Sequence, residues 1–543
     1  MKKNISRFLY YIAIAVVIHY LLFFILPYDF LDAGERIESL KSFRKYVTSV
    51  LWLSIFFVSI LSFNFWVKFF LIGLALSFSL IFVYVGFAYD VPFSSGIVID
   101  FVESRFYASE LMNFINLEAI GFIILSILFV LFITWSLNYK LDKDSFFLKK
   151  KTVIVFCVIC FVSIIFRTVR ETVFPIRRIV EPFTYMVTEL PALKRIMNQE
   201  EKPIETKRNS KQTVPLTLLL HIGESARYDH VKMNGYERDT MPNLTKYFNE
   251  GNLISFKDAI SFATCTRLSW LGIVTPATIK DPVVRAQSFI PSLNSQDIKT
   301  NCFFSSMEKT VRNTNTPTPL SALTVKSGYK CYLTDSAMVI YPELAKKIDE
   351  NAQKDSFYVY YGEGSHVPYT NYDHSKYEIY KPVSNKVTKD QATINNYDNT
   401  LYATDDFIGK VIQKLSDKNA VYIYVSDHAA FLGENDRWTL TGKREMYFET
   451  SRRILFFVWF SEGFKANFKD KYETFMANLE KLKPISHDYV YHSILGAYDI
   501  TNKYYNPKLD FFSSECGPFT GKRPSELPNT ATLSEKELLY QYE

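Results

Sequence analysis

The first third of the chain is a series of long apolar runs separated by short polar segments. Each run approaches the roughly 20 residues that a helix needs to cross the hydrocarbon core of a bilayer. The basic start MKKNISR is typical of a signal peptide, but the first run is too long and lacks a small-residue cleavage site, so we interpret it as an anchor. The pattern predicts five membrane-spanning helices, at Phe8–Leu26, Val47–Phe63, Phe69–Ala88, Ala119–Leu137 and Thr152–Phe166.

The basic residues of the short loops predict the orientation of these helices. Three basic residues precede the first run and five lysines lie between the fourth and fifth runs, whereas Ala88–Glu118 holds one basic residue, Arg105. Basic loops tend to stay on the cytoplasmic side. The N-terminus is therefore predicted to lie inside, and an odd number of spans places everything after Phe166 outside.

After the fifth apolar run, the pattern of apolar and polar residues changes twice along the chain. Arg167–Leu190 mixes basic and apolar residues, as an amphipathic helix at a membrane surface or an ordinary linker helix would, and Asn198–Gln212 is polar enough for a flexible tether. Short apolar runs then alternate with helical patterns such as Asn395–Leu415, which predicts an α/β sandwich with a mainly parallel sheet. The predicted strands are Pro215–Ile222, Ile254–Ala259, Lys330–Thr334, Phe357–Tyr361, Val421–Val425 and Ile454–Phe460.

Three regions follow from these patterns. Residues 1–166 are predicted to form a transmembrane domain, residues 167–213 interfacial helices and a flexible linker, and residues 214–543 an α/β domain. The chain has 543 residues, a net charge of +6 and no Lys/Arg block, so a nucleic-acid partner is not expected. Four cysteines would lie outside the membrane, where disulfides persist; their three possible full pairings stay open: Cys265, Cys302, Cys331 and Cys516.

Polar residues directly follow three of the predicted buried strands. Glu224 ends the first, His366 follows Phe357–Tyr361, and Asp427 and His428 follow Val421–Val425 in the string VYIYVSDHAA. Each residue alone could cap a strand or occupy a turn. Together at one sheet edge they suit a divalent cation of borderline softness.

The segment ISFATCTRLSWLGIVT predicts a loop that turns into a helix near Thr264. Free N–H groups at a helix start favour a phosphate, and a hydroxyl held beside a cation can act as a nucleophile. Thr264 or Thr266 could equally be a helix cap. The residues alone leave these alternatives open.

Several motifs resemble the phosphoethanolamine transferases that modify lipopolysaccharide, which include the mobile colistin-resistance enzymes. They are HIGESARYDHVKMNGYERDTMPNL, TCTRLS, GSHVPY, SDHAAFLGEN and SHDYVYHSILGAYDI, in that order. The resemblance implies an alkaline-phosphatase and sulfatase fold, with one zinc ion held by Glu224, Thr264, Asp427 and His428. Thr264 would be the nucleophile, His366 would contact the phosphate or a second metal, and Glu110 would match an acidic residue that binds substrate.

The same resemblance implies an inner-membrane enzyme with a periplasmic catalytic domain. It would move phosphoethanolamine from phosphatidylethanolamine to lipid A or a core sugar of lipopolysaccharide. The chain departs from the family pattern at Ala430 and near Leu440, where a polar residue and a second substrate-side histidine are usual. The alternatives are a lipoteichoic-acid-synthase-like glycerophosphate transferase and an inactive lipid-binding pseudoenzyme. A sulfatase activity is less favoured because the C-x-P-x-R motif is absent.

Overall fold

A computed structural model of the chain divides into two compact units, Met1–Pro191 and Ala192–Glu543. The residues that the structure describes are 63–74, 80, 117–139, 204–210, 212–263, 266–281, 288–305, 331–334, 337–362, 364–366, 369–370, 372–382, 389–430, 432 and 452–520.

The described part of the first unit is helical. Residues 65–74 are helical, and a longer helix spans Leu117–Tyr139, which contains the fourth predicted run. Exposed apolar side chains on that helix include Ile124, Leu125 and Phe132. No helix in the described part of the chain meets both the length and the hydropathy required of a membrane span. The first and fifth predicted runs lie outside the described residues, and the second and third lie mostly outside, so the count of five spans stays a prediction.

The second unit contains eleven described strands. They are β1 (Thr206–Arg208), β2 (Thr217–Gly223), β3 (Leu253–Ser255), β4 (Ala259–Ile260), β5 (Lys299–Ser305), β6 (Cys331–Thr334), β7 (Ser356–Gly362), β8 (Ala420–Ser426), β9 (Phe456–Phe460), β10 (Ile485–Ser486) and β11 (Ile500–Asn502). Seven of them form one sheet in the order β3-β9-β8-β2-β7-β5-β6, and two short pairs, β1-β11 and β4-β10, lie apart from it.

The large sheet is mixed. Strands β6, β5, β7, β2 and β8 run parallel to one another, whereas β9 is antiparallel to both β8 and β3. The prediction of a mainly parallel sheet is thus confirmed for five strands. It did not include the antiparallel strand β9 near one edge of the sheet. The predicted strand Ile254–Ala259 is two strands, β3 and β4, because the polar pair Lys257 and Asp258 interrupts it. Strand β5 was not predicted, since its first half, Lys-Thr-Asn, is polar.

Helices cover both faces of the sheet, so the predicted α/β sandwich is confirmed. Strand residues alternate between two cores: in β8, Val421, Ile423 and Val425 pack on one side, while Tyr422 and Tyr424 pack on the other. The first core includes residues of the helices Thr266–Val274, Ile290–Asn294, Glu462–Asn467, Lys469–Asn478 and Asp488–Ala497. The second includes residues of Pro242–Asn249, Ala337–Glu350 and Lys389–Leu415. A four-residue helix, His374–Tyr377, and the 3-10 turns Tyr228–His230, Lys232–Asn234 and Pro507–Leu509 complete the described helices.

The central strands are buried from end to end, as expected for parallel strands covered on both faces. Strand β2 reads TLLLHIG, and its polar residue His221 lies in the second core with Nδ1 2.6 Å from the Tyr422 hydroxyl. Its last residue must be glycine, because a Cβ on Gly223 would lie 2.0 Å from the Tyr424 hydroxyl. This close contact fixes the end of β2 against β8, directly before Glu224.

Candidate metal centre and active site

The register of two neighbouring strands creates the site. In the parallel pair β2 and β8, Gly223 is the partner of Ser426. The next residues, Glu224 and Asp427, therefore emerge side by side at the carboxyl edge of the sheet, where ligands bind in such folds. The Asp427 N–H donates to the Gly223 carbonyl at 2.9 Å and continues the pairing by one residue.

Glu224, Asp427 and His428 form one buried cluster. One ligand atom from each lies within 4.8 Å of the other two. His428 Nε2 is 3.3 Å from Glu224 Oε1 and 3.5 Å from Asp427 Oδ2. Asp427 Oδ2 is buried, yet it accepts no hydrogen bond from the described residues. A buried carboxylate oxygen without a hydrogen bond, next to a second carboxylate and an imidazole, fits a divalent metal ion. Three protein ligands with a fourth position open are typical of catalytic zinc.

The backbone between Glu224 and Arg227 is held in an uncommon conformation. Ser225 has a φ of 56°, in the left-handed region that residues with a side chain seldom adopt. Asp427 Oδ1 accepts hydrogen bonds from the N–H groups of Ser225, at 2.9 Å, and His428, at 2.7 Å. The Tyr397 hydroxyl donates to the Ser225 carbonyl and accepts from the Arg227 N–H, both at 2.9 Å. These four bonds keep the Glu224 side chain directed at the cluster.

The two carboxyl groups ionise unequally. Burial, followed by the charge of Glu224, raises the pKa of the Asp427 carboxyl. Burial also opposes ionisation of Glu224, but the charge and hydrogen bond of His428 and the charge of His366 outweigh it and lower the pKa of the Glu224 carboxyl. Two buried carboxylates this close repel each other, and a cation between them would offset that repulsion.

A threonine hydroxyl completes the cluster. Thr266 is the first residue of the helix Thr266–Val274, and its Oγ1 donates to Glu224 Oε2 at 3.1 Å. The same oxygen lies 3.3 Å from His428 Nε2. Sequence reasoning weighed Thr266 but placed the nucleophile at Thr264, which lies outside the described residues together with Cys265.

Two further hydroxyls bind Glu224. Tyr361 Oη donates to Glu224 Oε2 at 2.8 Å, and Ser225 Oγ donates to Oε1 at 2.7 Å. Sequence reasoning missed Tyr361. The signal was its position next to the end of β7, which is paired with β2.

The remaining predicted residues fall into two groups. His366 follows β7 as predicted and is exposed; its charge acts on Glu224, but it is not part of the three-residue cluster. Glu110 and Leu440 lie outside the described residues. Four other histidines are buried and hydrogen-bonded in the second unit: His221, His230, His487 and His492.

The fold and the cluster define an α/β domain of the alkaline-phosphatase and sulfatase type. The pattern of the Sulfatase family matches residues 217–500, more than half of the chain. The chain therefore belongs to the sulfatase family, and the resemblance to phosphoethanolamine transferases is confirmed by its curated relatives.

Two of those relatives are named for phosphoethanolamine chemistry. Phosphatidylethanolamine transferase Mcr-1 of Escherichia coli is 27% identical over 367 residues, which are 60% of this chain and 63% of that protein. Kdo(2)-lipid A phosphoethanolamine 7''-transferase of Salmonella typhimurium is 26% identical over 302 residues, 52% of this chain and 51% of that protein. The chain thus spans between half and two thirds of the length of these relatives.

Solved structures agree on the fold. The integral membrane protein lipooligosaccharide phosphoethanolamine transferase A from Neisseria meningitidis superimposes with a TM-score of 0.64 and 20% identity, over 93% of this chain and 99% of that one. The C-terminal periplasmic domain of EptC from Escherichia coli, in a complex with Zn, gives a TM-score of 0.51 and 18% identity, over 60% of this chain and 95% of that one.

Proposed function

We propose that the chain transfers phosphoethanolamine from phosphatidylethanolamine to lipopolysaccharide, by way of a covalent intermediate on a threonine. The observation that carries this proposal is the Thr266 hydroxyl, which lies between Glu224 and His428 at the carboxyl edge of the sheet. The names of the Escherichia coli and Salmonella typhimurium relatives indicate phosphoethanolamine as the transferred group and lipid A as the class of acceptor.

Zinc is the metal that we assign to the cluster. Glu224, Asp427 and His428 would hold it, and the buried, unpartnered Asp427 Oδ2 supports a cation there. When bound, zinc supplies Lewis-acid chemistry that favours the ionised form of a nearby hydroxyl and stabilises charge on a phosphoryl group. The structural neighbour crystallised with Zn makes the same assignment reasonable on grounds of fold.

The residues of the chain position the nucleophile and its proton. Thr266 Oγ1 already donates its hydrogen to Glu224 Oε2, so this carboxylate is placed to take the proton as the oxygen bonds to phosphorus. Glu224 returns this proton to the diacylglycerol oxygen as its bond to phosphorus breaks, and diacylglycerol leaves as the free alcohol. In the second step a hydroxyl oxygen of lipopolysaccharide attacks the phosphorus and loses its proton to Glu224, which passes the proton to the Thr266 oxygen as that oxygen is released. Most of the catalytic effect in such reactions comes from positioning and charge.

We assign the nucleophile to Thr266 because its hydroxyl contacts two residues of the cluster. The assignment of Thr264, to the nucleophile and to the metal, stays a prediction from the family resemblance. His366 lies exposed beyond the same sheet edge, where it would meet the phosphate of a lipid donor.

Both proposed substrates are lipids, so the catalytic unit has to work at a membrane. The five apolar runs of the first 166 residues would anchor it, with the α/β unit in the periplasm. The fold match to an integral membrane protein over 93% of the chain supports this arrangement.

Intact-mass analysis of the full chain mixed with phosphatidylethanolamine tests the proposal. Wild type and Thr264→Ala should gain one phosphoethanolamine, Thr266→Ala should gain none, and Thr266→Ser should keep a reduced yield because it retains a hydroxyl. An adduct that maps to Thr264 would move the nucleophile there. A glycerophosphate adduct from phosphatidylglycerol would support the alternative transferase, and zinc binding without any adduct would support a pseudoenzyme.

A further inference from the structure

His487 lies between the two segments that carry the reacting groups. It directly follows β10 and precedes the helix Asp488–Ala497, and it is fully buried. Its Nδ1 accepts a hydrogen bond from the Phe262 N–H at 3.1 Å, and its Nε2 is 2.9 Å from the Ser426 carbonyl. A backbone N–H only donates and a carbonyl only accepts, so the ring is neutral and carries its proton on Nε2.

The partners of His487 adjoin the cluster on both sides. Ser426 is the last residue of β8 and directly precedes Asp427 and His428. Phe262 lies four residues before Thr266, in the loop that leads into the helix Thr266–Val274. One side chain thus joins the strand end that precedes two of the proposed metal ligands to the loop that leads into the helix carrying the Thr266 hydroxyl.

The loop that contains Phe262 is held by several hydrogen bonds and a close ring contact, so a shift of His487 would also move the start of the helix Thr266–Val274. The Ser261 N–H donates to the Arg452 carbonyl at 2.8 Å. The hydroxyls of Ser261 and Ser269 both donate to the Ala263 carbonyl, at 2.6 and 3.0 Å, which ties the loop to the helix that begins at Thr266. The Phe262 ring lies so close to this helix that a Cβ on Gly272 would be 2.4 Å away.

We propose that His487 is a positioning residue for the transfer reaction, because its two hydrogen bonds set the distance between the Thr266 hydroxyl and the Asp427–His428 strand end. This inference rests on the proposed function and adds a residue outside the metal cluster to it. Burial lowers the pKa of His487 to about 3, so the ring stays neutral and keeps both hydrogen bonds near neutral pH. Mutation of a residue that orients metal ligands without touching the metal typically lowers metal affinity or activity by about 10- to 100-fold.

The helix Asp488–Ala497, which follows His487, contains a second buried histidine that offers a matched control. His492 is also buried, and its Nδ1 also accepts a backbone hydrogen bond, from the Asn506 N–H at 3.1 Å. Asn506 lies in a segment that does not contribute to the cluster. Substitutions at His487 and His492 should therefore destabilise the fold through the same kind of loss but differ in their effect on the site.

The experiment compares His487→Gln and His487→Asn with His492→Gln and His492→Asn in the full chain. Asparagine can keep an acceptor near the Nδ1 position, and glutamine can keep a donor near Nε2. Three quantities are measured: Tm, the single-turnover rate of adduct formation from phosphatidylethanolamine, and the visible absorption spectrum after loading with Co²⁺. The His487 variants should slow adduct formation about 10- to 100-fold at saturating donor, with little change in donor KM, and should alter the Co²⁺ bands.

The His492 variants should lower Tm to a similar extent but keep the wild-type rate and spectrum. If the His487 variants match the His492 variants in both rate and spectrum, His487 is merely structural and the inference is wrong. If the wild type forms no adduct, the proposed function fails, and the Co²⁺ spectra alone then decide whether His487 positions the ligands.

Discussion

Tyr361→Phe isolates the support that one hydroxyl gives to the metal cluster. Its Oη donates to Glu224 Oε2 at 2.8 Å, while its ring packs edge-on against Trp270 at a centroid distance of 5.2 Å. Phenylalanine keeps the ring and its packing and removes only the donor. The ionised Glu224 would then keep the hydroxyls of Ser225 and Thr266 and lose its third hydroxyl partner.

The magnitude follows from the charge of the acceptor. A hydrogen bond to a charged group contributes about 1.5–3 kcal/mol, and loss of a residue that supports a metal ligand typically costs about 10- to 100-fold in affinity, or about 1.4–2.8 kcal/mol. The two figures agree. Because two hydroxyls remain on Glu224, we expect the lower end, a rise in the zinc Kd of about 10-fold.

Competition between the full chain and a chromophoric zinc chelator measures this Kd. The control is Tyr358→Phe, on the same strand but facing the opposite core, where the hydroxyl donates to the Lys347 carbonyl at 2.8 Å. Tyr358→Phe should lower the free energy of unfolding by about 1 kcal/mol and leave the zinc Kd unchanged. Equal zinc affinities for the two variants would refute the role given to Tyr361.

Two more predictions concern pH and topology. Burial lowers the pKa of His492 to about 3, so below about pH 6.5 the unfolded chain takes up a proton that the folded chain does not, and stability falls as pH decreases. The stability deficit of His492→Gln measured by urea unfolding at about pH 8 should therefore shrink by about 2 kcal/mol at about pH 5, and a constant deficit would show that this histidine is not kept neutral. A reporter that is active only outside the cytoplasm tests the predicted topology: it should work when fused after Gln212 and stay silent after Lys143, and the reverse pattern would overturn the five-span prediction.

The metal cluster was predictable because its signal is local. A buried strand that ends in a carboxylate or imidazole is visible in the residues around Glu224 and around Asp427, and parallel strands bring such ends to one edge. The direction of β9 was not predictable, since the apolar pattern of a strand is the same whichever way it runs. Strand β5 was missed because only its second half, Cys302–Ser305, is buried.

Supporting residues were harder to predict because their roles depend on what the fold brings near them. Tyr361 is one of several buried tyrosines on the central strands, and its sequence neighbours do not distinguish it from Tyr358 or Tyr360. The two threonines of TCTRLS are two residues apart, and of the two only Thr266, at the start of its helix, lies within the described residues, so the choice between them stays untested. The hydrogen bond of His487 could not be predicted, because its partner Phe262 lies 225 positions away along the chain.

The pairing of β2 with β8 joins residues that are far apart in the sequence, and this separation determines when the cluster can form during synthesis. The Ser225 N–H and the Asp427 carboxylate that it binds are 202 positions apart, and His487 comes later still. Such long-range contacts form slowly, since a large loop must close before they can stabilise anything. Glu224 is therefore synthesised long before Asp427 and His428, and the three residues of the cluster can come together only after the chain has been made past residue 428. A chain that stops short of Asp427 carries a single carboxylate from this cluster, so under the proposed function incomplete molecules should neither retain zinc nor react with lipid.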